Sequence, residues 1–565
     1  MKTVNKSIQF IFLLVMIFCF EVLKASPDLI VVNADIRTSD PAVKNASAVA
    51  VENGKFTAIG TNDEISQLSD SNTVIINAHG KTLLPGFIDS HTHLSSGINI
   101  VTGINLTGIK EKSVWLEMIA ERVKTMEPGE WLLGGRWDYT LENKGYPTRW
   151  ELDEVSPNNP IALSDIDGHS AWVNSLAIEI AGITADSVVP VGGQIILDEE
   201  TRQPNGILLE GAMDLIWREQ SYIRDSDKAR KEIGKVLDFA TSLGITSVHD
   251  MSSKIELGSY LDLAKKSKLY VRTFFGEFSK FDAGEDSTSD KIKIGELRKK
   301  YKFRDLDKGP MVEFGFIKYV MDGVLSTHTA AMIEPYSDRP NIIGQPFHTQ
   351  DEINALVKRA NGLGLPVAIH AIGDQAVKMA LNAFENFGNR DYANRIEHIE
   401  MIDPDDVPRF KELNITASMQ PNHCTGVIGK YITQRVGIDR EKNAYVWGDF
   451  LRSGTQLAFS SDFATSPFSP LVHIADAVFR ESPNGLYEGT WYPDQAVTFE
   501  QALFAYTQAG ANMSGWGDEI GSISIGKYAD FVILDKLLGS PVGQELRNTK
   551  VAKTYFAGQL VFSEN

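Results

Sequence analysis

The alternation of apolar and polar positions marks both ends of this chain as β-rich. Asp28–Asn33, Ala48–Glu52, Phe56–Ile59 and Val74–Ile76 read as short strands, with a turn at Asn53-Gly54. Gly521–Ile523, Ala529–Leu534 and Val551–Phe562 read the same way, with turns at Gly526-Lys527 and Ala557-Gly558. Between these ends the pattern changes to helix followed by strand. Helical spacing over Gln350–Leu363, Asp374–Phe387, Pro404–Leu413 and Ala444–Ser453 leads into apolar runs at Pro366–His370, Asn394–Ile399, Ile415–Gln420 and Gln456–Ser461. Asp227–Leu243 leads likewise into Ile245–Asp250, and Leu269–Phe278 and Glu313–Met321 are strand-like. Repeated units of this length imply a parallel sheet, and enough of them close into an α/β fold of the (β/α)8, TIM-like barrel type. From about 130 to 227 the rhythm breaks into Gly- and Pro-rich short runs, which predicts an inserted lobe over the barrel mouth. The expected organisation is a signal peptide at 1–25, a discontinuous β-sandwich from 26–83 and 515–565, and a barrel over 84–514 that includes the lobe.

Charge and the N-terminus narrow the function classes. Acidic residues number 74 against 55 Lys plus Arg, a formal net charge of -19, so a phosphate backbone is repelled and nucleic acid is not an expected partner. Lys2 and Lys6 precede an apolar run, Ile8–Phe20, interrupted only by Gln9, and small residues Ala25 and Ser26 follow. This reads as a cleaved export signal that places the mature chain in a periplasm or outside the cell. The run is shorter than the roughly 20 residues that span a bilayer, so no stable membrane anchor is expected. Cys19 leaves with the signal, and Cys424 alone permits no internal disulfide. Self-association into a homo-oligomer is compatible with this composition.

The candidate chemistry starts at His91-Thr92-His93, directly after the run Leu83–Asp89. Residues two apart on a strand share a face, so His91 and His93 point the same way, as does Asp89. Two imidazoles at a strand end can grip one divalent ion, with Asp89 placed to orient a ring from behind. Three further polar residues end apolar strands: His370, His398 and, after Phe459-Ser460-Ser461, Asp462. In a barrel these strand ends lie on one face and can meet at one ion. Lys318 sits within the apolar run Phe316–Met321, where a charged amine is costly; a neutral amine there can take up carbon dioxide as a carbamate ligand, or the side chain can point outward or pair with Asp322.

These residues resemble those of the amidohydrolase superfamily, and specifically its family 3 branch, which includes enzymes similar to N-substituted formamide deformylases. Leu84-Pro85-Gly86-Phe87-Ile88-Asp89-Ser90-His91-Thr92-His93 matches the first-strand motif of that branch. His370-Ala371-Ile372-Gly373-Asp374 matches the fifth, Arg395-Ile396-Glu397-His398 the sixth and Ser461-Asp462 the eighth, and Gly526–Phe531 resembles the return into the sandwich. The resemblance implies a barrel with a sandwich and a centre of one or two divalent ions, zinc above all, held by His91, His93, Lys318, His370, His398 and Asp462. It also implies an N6-carboxylated Lys318 bridging two ions; an unmodified Lys318 implies a single ion.

The expected reaction is hydrolysis of a non-peptide C–N bond, amide- or formamide-like, in a small molecule, by hydroxide formed at the metal, with Asp462 taking the water's proton and passing it to the leaving nitrogen. The same centre would serve an ester or a cyclic amide. A metal-free binding protein on the same scaffold is the reading from another class, and the retention of every expected ligand argues against it. His169, Asn174, Trp137, His328 and His423 are the candidates for substrate contact; His249 is another strand-end candidate.

Overall fold

The computed structural model describes residues 26–564 apart from 44, 139–145, 166–169, 190–192, 218–225, 252–253, 279–286, 427, 483–487 and 541–542. The expected signal segment and His169 lie outside the described residues.

The barrel strands are β1 (Phe87–Thr92), β2 (Ile245–Asp250), β3 (Arg272–Phe278), β4 (Gly309–Val320), β5 (Val367–Ala371), β6 (Arg395–His398), β7 (Thr416–Met419) and β8 (Leu457–Phe459). Each is parallel to the next in sequence order, so their carboxyl ends share one face. A short strand, Lys302–Asp305, adds antiparallel to β4. β6 and β7 are buried throughout, as strands covered on both faces must be. Flanking helices begin where the chain supplies caps: Thr349 and Glu352 form a capping box at the start of Gln350–Gly362.

The ring closes between β8 and β1. Thr92 bridges to Phe463 in parallel, and the Asp462 N–H donates to the His91 carbonyl at 2.9 Å. The Asp89 carboxylate accepts the Ser461 N–H at 3.0 and 3.2 Å and the His91 N–H at 3.3 Å. Asp89 is therefore a clasp on the seam and not the group that orients an imidazole, because the backbone already occupies its oxygens.

Strands from both chain ends build the sandwich. Thr82–Pro85 pairs antiparallel with Phe531–Leu534 in a five-stranded sheet. Leu29–Val32, Ala48–Glu52, Lys55–Gly60 and Val74–Asn77 form the second sheet. Val31, Val51, Phe56, Leu83, Phe531 and Ile533 fill the core between them. The lobe is a six-stranded sheet inserted between β1 and β2. It begins at Ile104–Asn105, earlier than the expected 130, and runs to Pro204–Leu209. Two residues of strand carry no readable period, and the helix Lys112–Val123 looks like any barrel helix in sequence. Arg136 of the lobe donates to the carbonyls of Ala464 and Thr465 at 2.7 and 3.0 Å, which fixes the lobe beside the loop after β8. Among the described residues no helix is long and apolar enough to cross a membrane.

Candidate active site

The six strand-end residues meet at the carboxyl face of the barrel. His91 and His93 present Nε2 to Asp462 Oδ1 at 3.5 and 3.2 Å. The Lys318 Nζ lies 3.4 Å from His91 Nε2, so β4 aims its amine inward and neither outward nor at Asp322. The His398 ring lies 4.9 Å from His91 and 4.5 Å from His370, centroid to centroid. His423, expected against substrate, stacks on His398 at 6.0 Å and brings Nε2 within 3.8 Å of Asp462 Oδ2.

Backbone geometry produces part of this convergence. On a regular strand, adjacent Glu397 and His398 point to opposite faces. His398 has φ 75° and Ile399 φ 49°, left-handed values that are rare outside glycine and that swing His398 back over the strand end. Asp462 has φ 56° for the same effect after β8. Such backbone collects at sites where the surrounding structure enforces it.

A surrounding layer of polar groups fixes the rings. The His91 Nδ1–H donates to Glu397 Oε2 at 2.7 Å, which leaves the Nε2 lone pair facing Lys318 and Asp462. Arg395 pairs with Glu397 Oε1 at 2.8 Å. The His398 Nδ1–H donates to Gln420 Oε1 at 2.8 Å, and Gln420 donates to Ser460 Oγ at 2.9 Å. His370 Nε2 faces the Gly323 carbonyl at 3.2 Å, which leaves Nδ1 as the atom available to a ligand. Asp322 accepts N–H bonds from Ala331, Ile372 and Gly373 at 2.8 to 3.0 Å and so holds the loop ends of β4 and β5 together. Glu397 and Gln420 carry no signal of their own in the sequence: Glu397 adjoins His398 but bonds His91, and Gln420 bonds His398 from 22 residues away.

Burial sets the charge states. It holds the His91 imidazole down at about 4 and His370 at about 3, and pushes His398 well below the usual range. These rings are neutral at pH 7 and carry lone pairs. Burial lowers Lys318 to about 8. Burial works to raise Glu397 and Asp462, but Arg395 and His91 outweigh it for Glu397, and His91 and His93 outweigh it for Asp462; both stay well below the usual carboxylate range. The site thus combines neutral nitrogen donors with a fixed anion.

Three expected substrate contacts commit their polar atoms to other protein groups. Asn174 caps the helix Ser175–Ile180: its Oδ1 accepts N–H bonds from Ala177 and Ile161 at 3.0 Å, and its Nδ2 donates to the Ser156 and Asn159 carbonyls. It is fully buried and every bond is internal to the lobe. Trp137 is also fully buried, donates Nε1–H to the Leu163 carbonyl at 2.9 Å and packs on Trp115 and Trp172, so it is lobe core and not a pocket wall. His328 commits Nε2 to Asp338 at 3.0 and 3.1 Å and clasps the segment between β4 and β5. His249 accepts at Nδ1 from Arg395 at 3.0 Å, behind Glu397.

The donor set fits a divalent cation. His91, His93 and Asp462 bring three ligand atoms within 4.8 Å of one another, and so do His398, His423 and Asp462. Asp462 Oδ1 is buried without a hydrogen-bond partner although it lies close to two imidazoles. The ligand atoms form two overlapping groups that share Asp462. Imidazole nitrogen with carboxylate oxygen is a zinc-type donor set.

Comparison with known proteins agrees with this geometry. The model of the amidohydrolase family matches residues 74–562. Protein LONG AFTER FAR-RED 3 of Arabidopsis thaliana is 31% identical, over 95% of this chain and 91% of its own. N-substituted formamide deformylase of Arthrobacter pascens is 30% identical, over 94% of this chain and 98% of its own. An uncharacterized metal-dependent hydrolase from Pyrococcus horikoshii superposes with a TM-score of 0.72 at 28% identity, covering 90% of this chain and 97% of that one. The chain belongs to the amidohydrolase family, in the family 3 branch that its strand-end motifs resemble.

Proposed function

We propose that this hydrolase is metal-dependent and cleaves an amide- or formamide-like, non-peptide C–N bond of a small molecule, after export across a membrane. The observation that carries the reading is the gathering of His91, His93, His398 and His423 around Asp462, with Lys318 and His370 beside them, at the carboxyl face of the barrel. The name of the Arthrobacter pascens relative supports the formamide class. A divalent ion, zinc by donor type, supplies Lewis acidity there: it polarises a carbonyl and makes water acidic near neutral pH. His91, His93 and Asp462 would hold it, with Glu397 and Gln420 fixing the tautomers of His91 and His398. The low pKa of Lys318 gives a larger neutral fraction than an exposed lysine has, which is the form that carbon dioxide carboxylates.

Asp462 is the proton carrier. Its carboxylate stays ionised at neutral pH, takes a proton from the attacking water and delivers it to the leaving nitrogen. Amide resonance makes that nitrogen a poor leaving group, so the delivery matters to the rate. The export reading rests on Lys2, Lys6 and the apolar run Ile8–Phe20.

The test joins elemental analysis of the purified protein to a screen of N-formyl amines, N-acyl amino acids and lactones. We expect bound divalent metal and turnover of a C–N substrate, reduced by at least about 100-fold in Asp462→Asn. Turnover of lactones alone moves the assignment to ester chemistry. Undiminished turnover in Asp462→Asn removes Asp462 from the mechanism.

A further inference from the structure

We propose that Arg136 is a positioning residue for catalysis: through it the inserted lobe holds the turn that carries Asp462. The proposal rests on the proton-carrier role given to Asp462 above and names what keeps that carboxylate in place.

Asp462 depends on its backbone for its aim. Its Oδ1 is buried without a hydrogen-bond partner, and its φ of 56° is left-handed. A residue other than glycine keeps such a conformation only where its surroundings over-determine it. The turn after β8 supplies part of that constraint. The Asp462 carbonyl accepts the Thr465 N–H at 2.7 Å, the Phe463 N–H donates to Ser461 Oγ at 3.0 Å, and the His93 N–H donates to the Phe463 carbonyl at 2.5 Å. The next two carbonyls, of Ala464 and Thr465, accept from Nη1 and Nη2 of Arg136 at 2.7 and 3.0 Å. One planar guanidinium thus grips two successive peptides of the turn, and its rigid fork fixes their relative orientation.

The lobe is built to deliver this side chain. Arg136 lies in the strand Leu132–Trp137. The register with Ile161–Asp165 pairs Ser164 with Gly135 and Asp165 with Trp137, so Arg136 is left out of the ladder as an inserted residue. Such an insertion bends the strand and re-aims a side chain. Trp137 stays in the lobe core while Arg136 reaches the barrel. Gly134, Gly135 and Arg136 have φ of 113°, 119° and 62°. A Cβ on Gly134 would strike the Ile104 carbonyl and one on Gly135 the Ser164 carbonyl, so the approach to Arg136 has to be glycine.

Packing behind the turn is equally close. Phe463 stacks on Phe468 at 4.2 Å with 6° between ring planes. On its other side the Phe463 ring fills the space a Cβ on Gly97 would need, in the helix Leu94–Thr102 that starts from His93. The end of β1, the turn after β8 and the lobe strand therefore lock together around Asp462, and Arg136 is the lobe's hold on that turn.

The experiment compares Arg136→Met, Arg136→Lys, Asp462→Asn and the double variant Arg136→Met/Asp462→Asn with wild type, in the mature metal-loaded protein, with formanilide as the N-formyl amine. Circular dichroism and metal per chain establish that each variant folds and loads. Arg136→Lys keeps one donor and replaces the Met variant if that one does not fold. In Arg136→Met, kcat is expected to fall about 10- to 100-fold with KM and metal content unchanged, because a catalytic group misplaced by about 1 Å loses rate on that scale. Arg136→Lys falls between. In the double variant Arg136→Met adds no further loss to that of Asp462→Asn, since it acts through the same carboxylate. Hydrogen exchange reads the clamp without a substrate: the Phe463 and Thr465 amides exchange faster in Arg136→Met than in wild type. Full kcat in folded Arg136→Met, an additive loss in the double variant, or unchanged exchange at Phe463 and Thr465 overturns the proposal and leaves the role of Asp462 in place. Full turnover in Asp462→Asn overturns that role, and the proposal with it.

Discussion

His91 on β1 and Glu397 on β6 are joined by a 2.7 Å hydrogen bond between two fully buried side chains. The bond fixes the tautomer of His91, and Arg395 holds Glu397 in turn while reaching the Ser90 carbonyl at 3.0 Å. Glu397→Gln preserves shape and removes the charge. It is expected to lower metal affinity by about 10–100-fold, the usual effect of losing a group that orients a ligand. The substitution leaves Arg395 buried without its carboxylate, so a folding cost of about 3–5 kcal/mol is expected alongside. Competition with a chelator measures the first and thermal melting the second. Unchanged affinity would detach this pair from the metal chemistry.

How much of this was legible depends on what kind of information each residue carries. His91 and His93 follow from strand alternation, and His370, His398 and Asp462 from ending apolar runs, because a parallel barrel gathers strand ends whatever lies between them. Lys318 was legible as an oddity in an apolar strand, but its direction was not. His423 was visible in Gln420-Pro421-Asn422-His423 and was expected against substrate; its place beside His398 depends on a Pro-initiated turn and on left-handed backbone at His398, neither of which has a hydrophobic period. Asn174 and Trp137 misled for the opposite reason. Each has a side chain suited to a ligand, and each spends it on the lobe's own backbone. The partner of a buried hydrogen bond lies far away in sequence, so composition cannot assign it.

Arg272 and Asp530 tie the barrel to the sandwich. Nε and Nη2 of Arg272 meet the two Asp530 oxygens at 2.8 and 3.0 Å, and the guanidinium lies 4.5 Å from the Phe556 ring centre. Arg272 is 0% exposed. Arg272→Met leaves Asp530 buried and unpaired and is expected to cost about 3–5 kcal/mol of stability, with turnover per folded chain unchanged. Adding Asp530→Leu should recover much of that loss, because two apolar groups replace the stranded charge. Urea unfolding of the single and double variants measures both; a loss that stays the same in the double variant would show that packing, and not charge, carries the effect.

Cys424 is wholly buried, and burial pushes its thiol up to about 12. At pH 8 its thiolate fraction is on the order of 1 in 10,000, and the thiolate is the reactive form. The native protein is expected to resist aromatic disulfide reagents at that pH and to react fully in denaturant. The count in denaturant also reports on processing: one thiol per chain follows from the proposed removal of residues 1–25, and two from their retention, since Cys19 is the other cysteine. Rapid labelling of folded protein would contradict the burial of Cys424.

The pH dependence of stability follows from histidines that fold neutral. His473 receives the Asn422 N–H on Nδ1 at 3.4 Å and gives its Nε2–H to the Pro467 carbonyl at 2.7 Å, so the neutral ring is fully used and protonation would break the first bond. Burial lowers its pKa from 6.5 to about 3. The unfolded chain takes up a proton as pH falls below 6.5 and the folded chain does not, so stability is fully present above 6.5 and is lost progressively down to about 3. His91, His249, His370 and His398 act with the same sign. Asp89 and Asp322, raised by burial to about 7, act against them between 3.8 and 7, as do Asp238, Asp374 and Asp476, also raised by burial, while Glu397 and Asp462, held well below the usual carboxylate range, act with the imidazoles and tip the balance. Metal-stripped protein should therefore lose stability on acidification from pH 6.5 to 4.5. His473→Gln should flatten that dependence by up to one proton, about 1.4 kcal/mol per pH unit. Denaturant midpoints across this range measure the slope, and an unaltered slope would mean that the His473 proton is not among those that unfolding takes up. Because Asn422 precedes His423, the same variant should also weaken metal binding at neutral pH, where no proton is involved; that second readout separates the loosening of the turn from the titration.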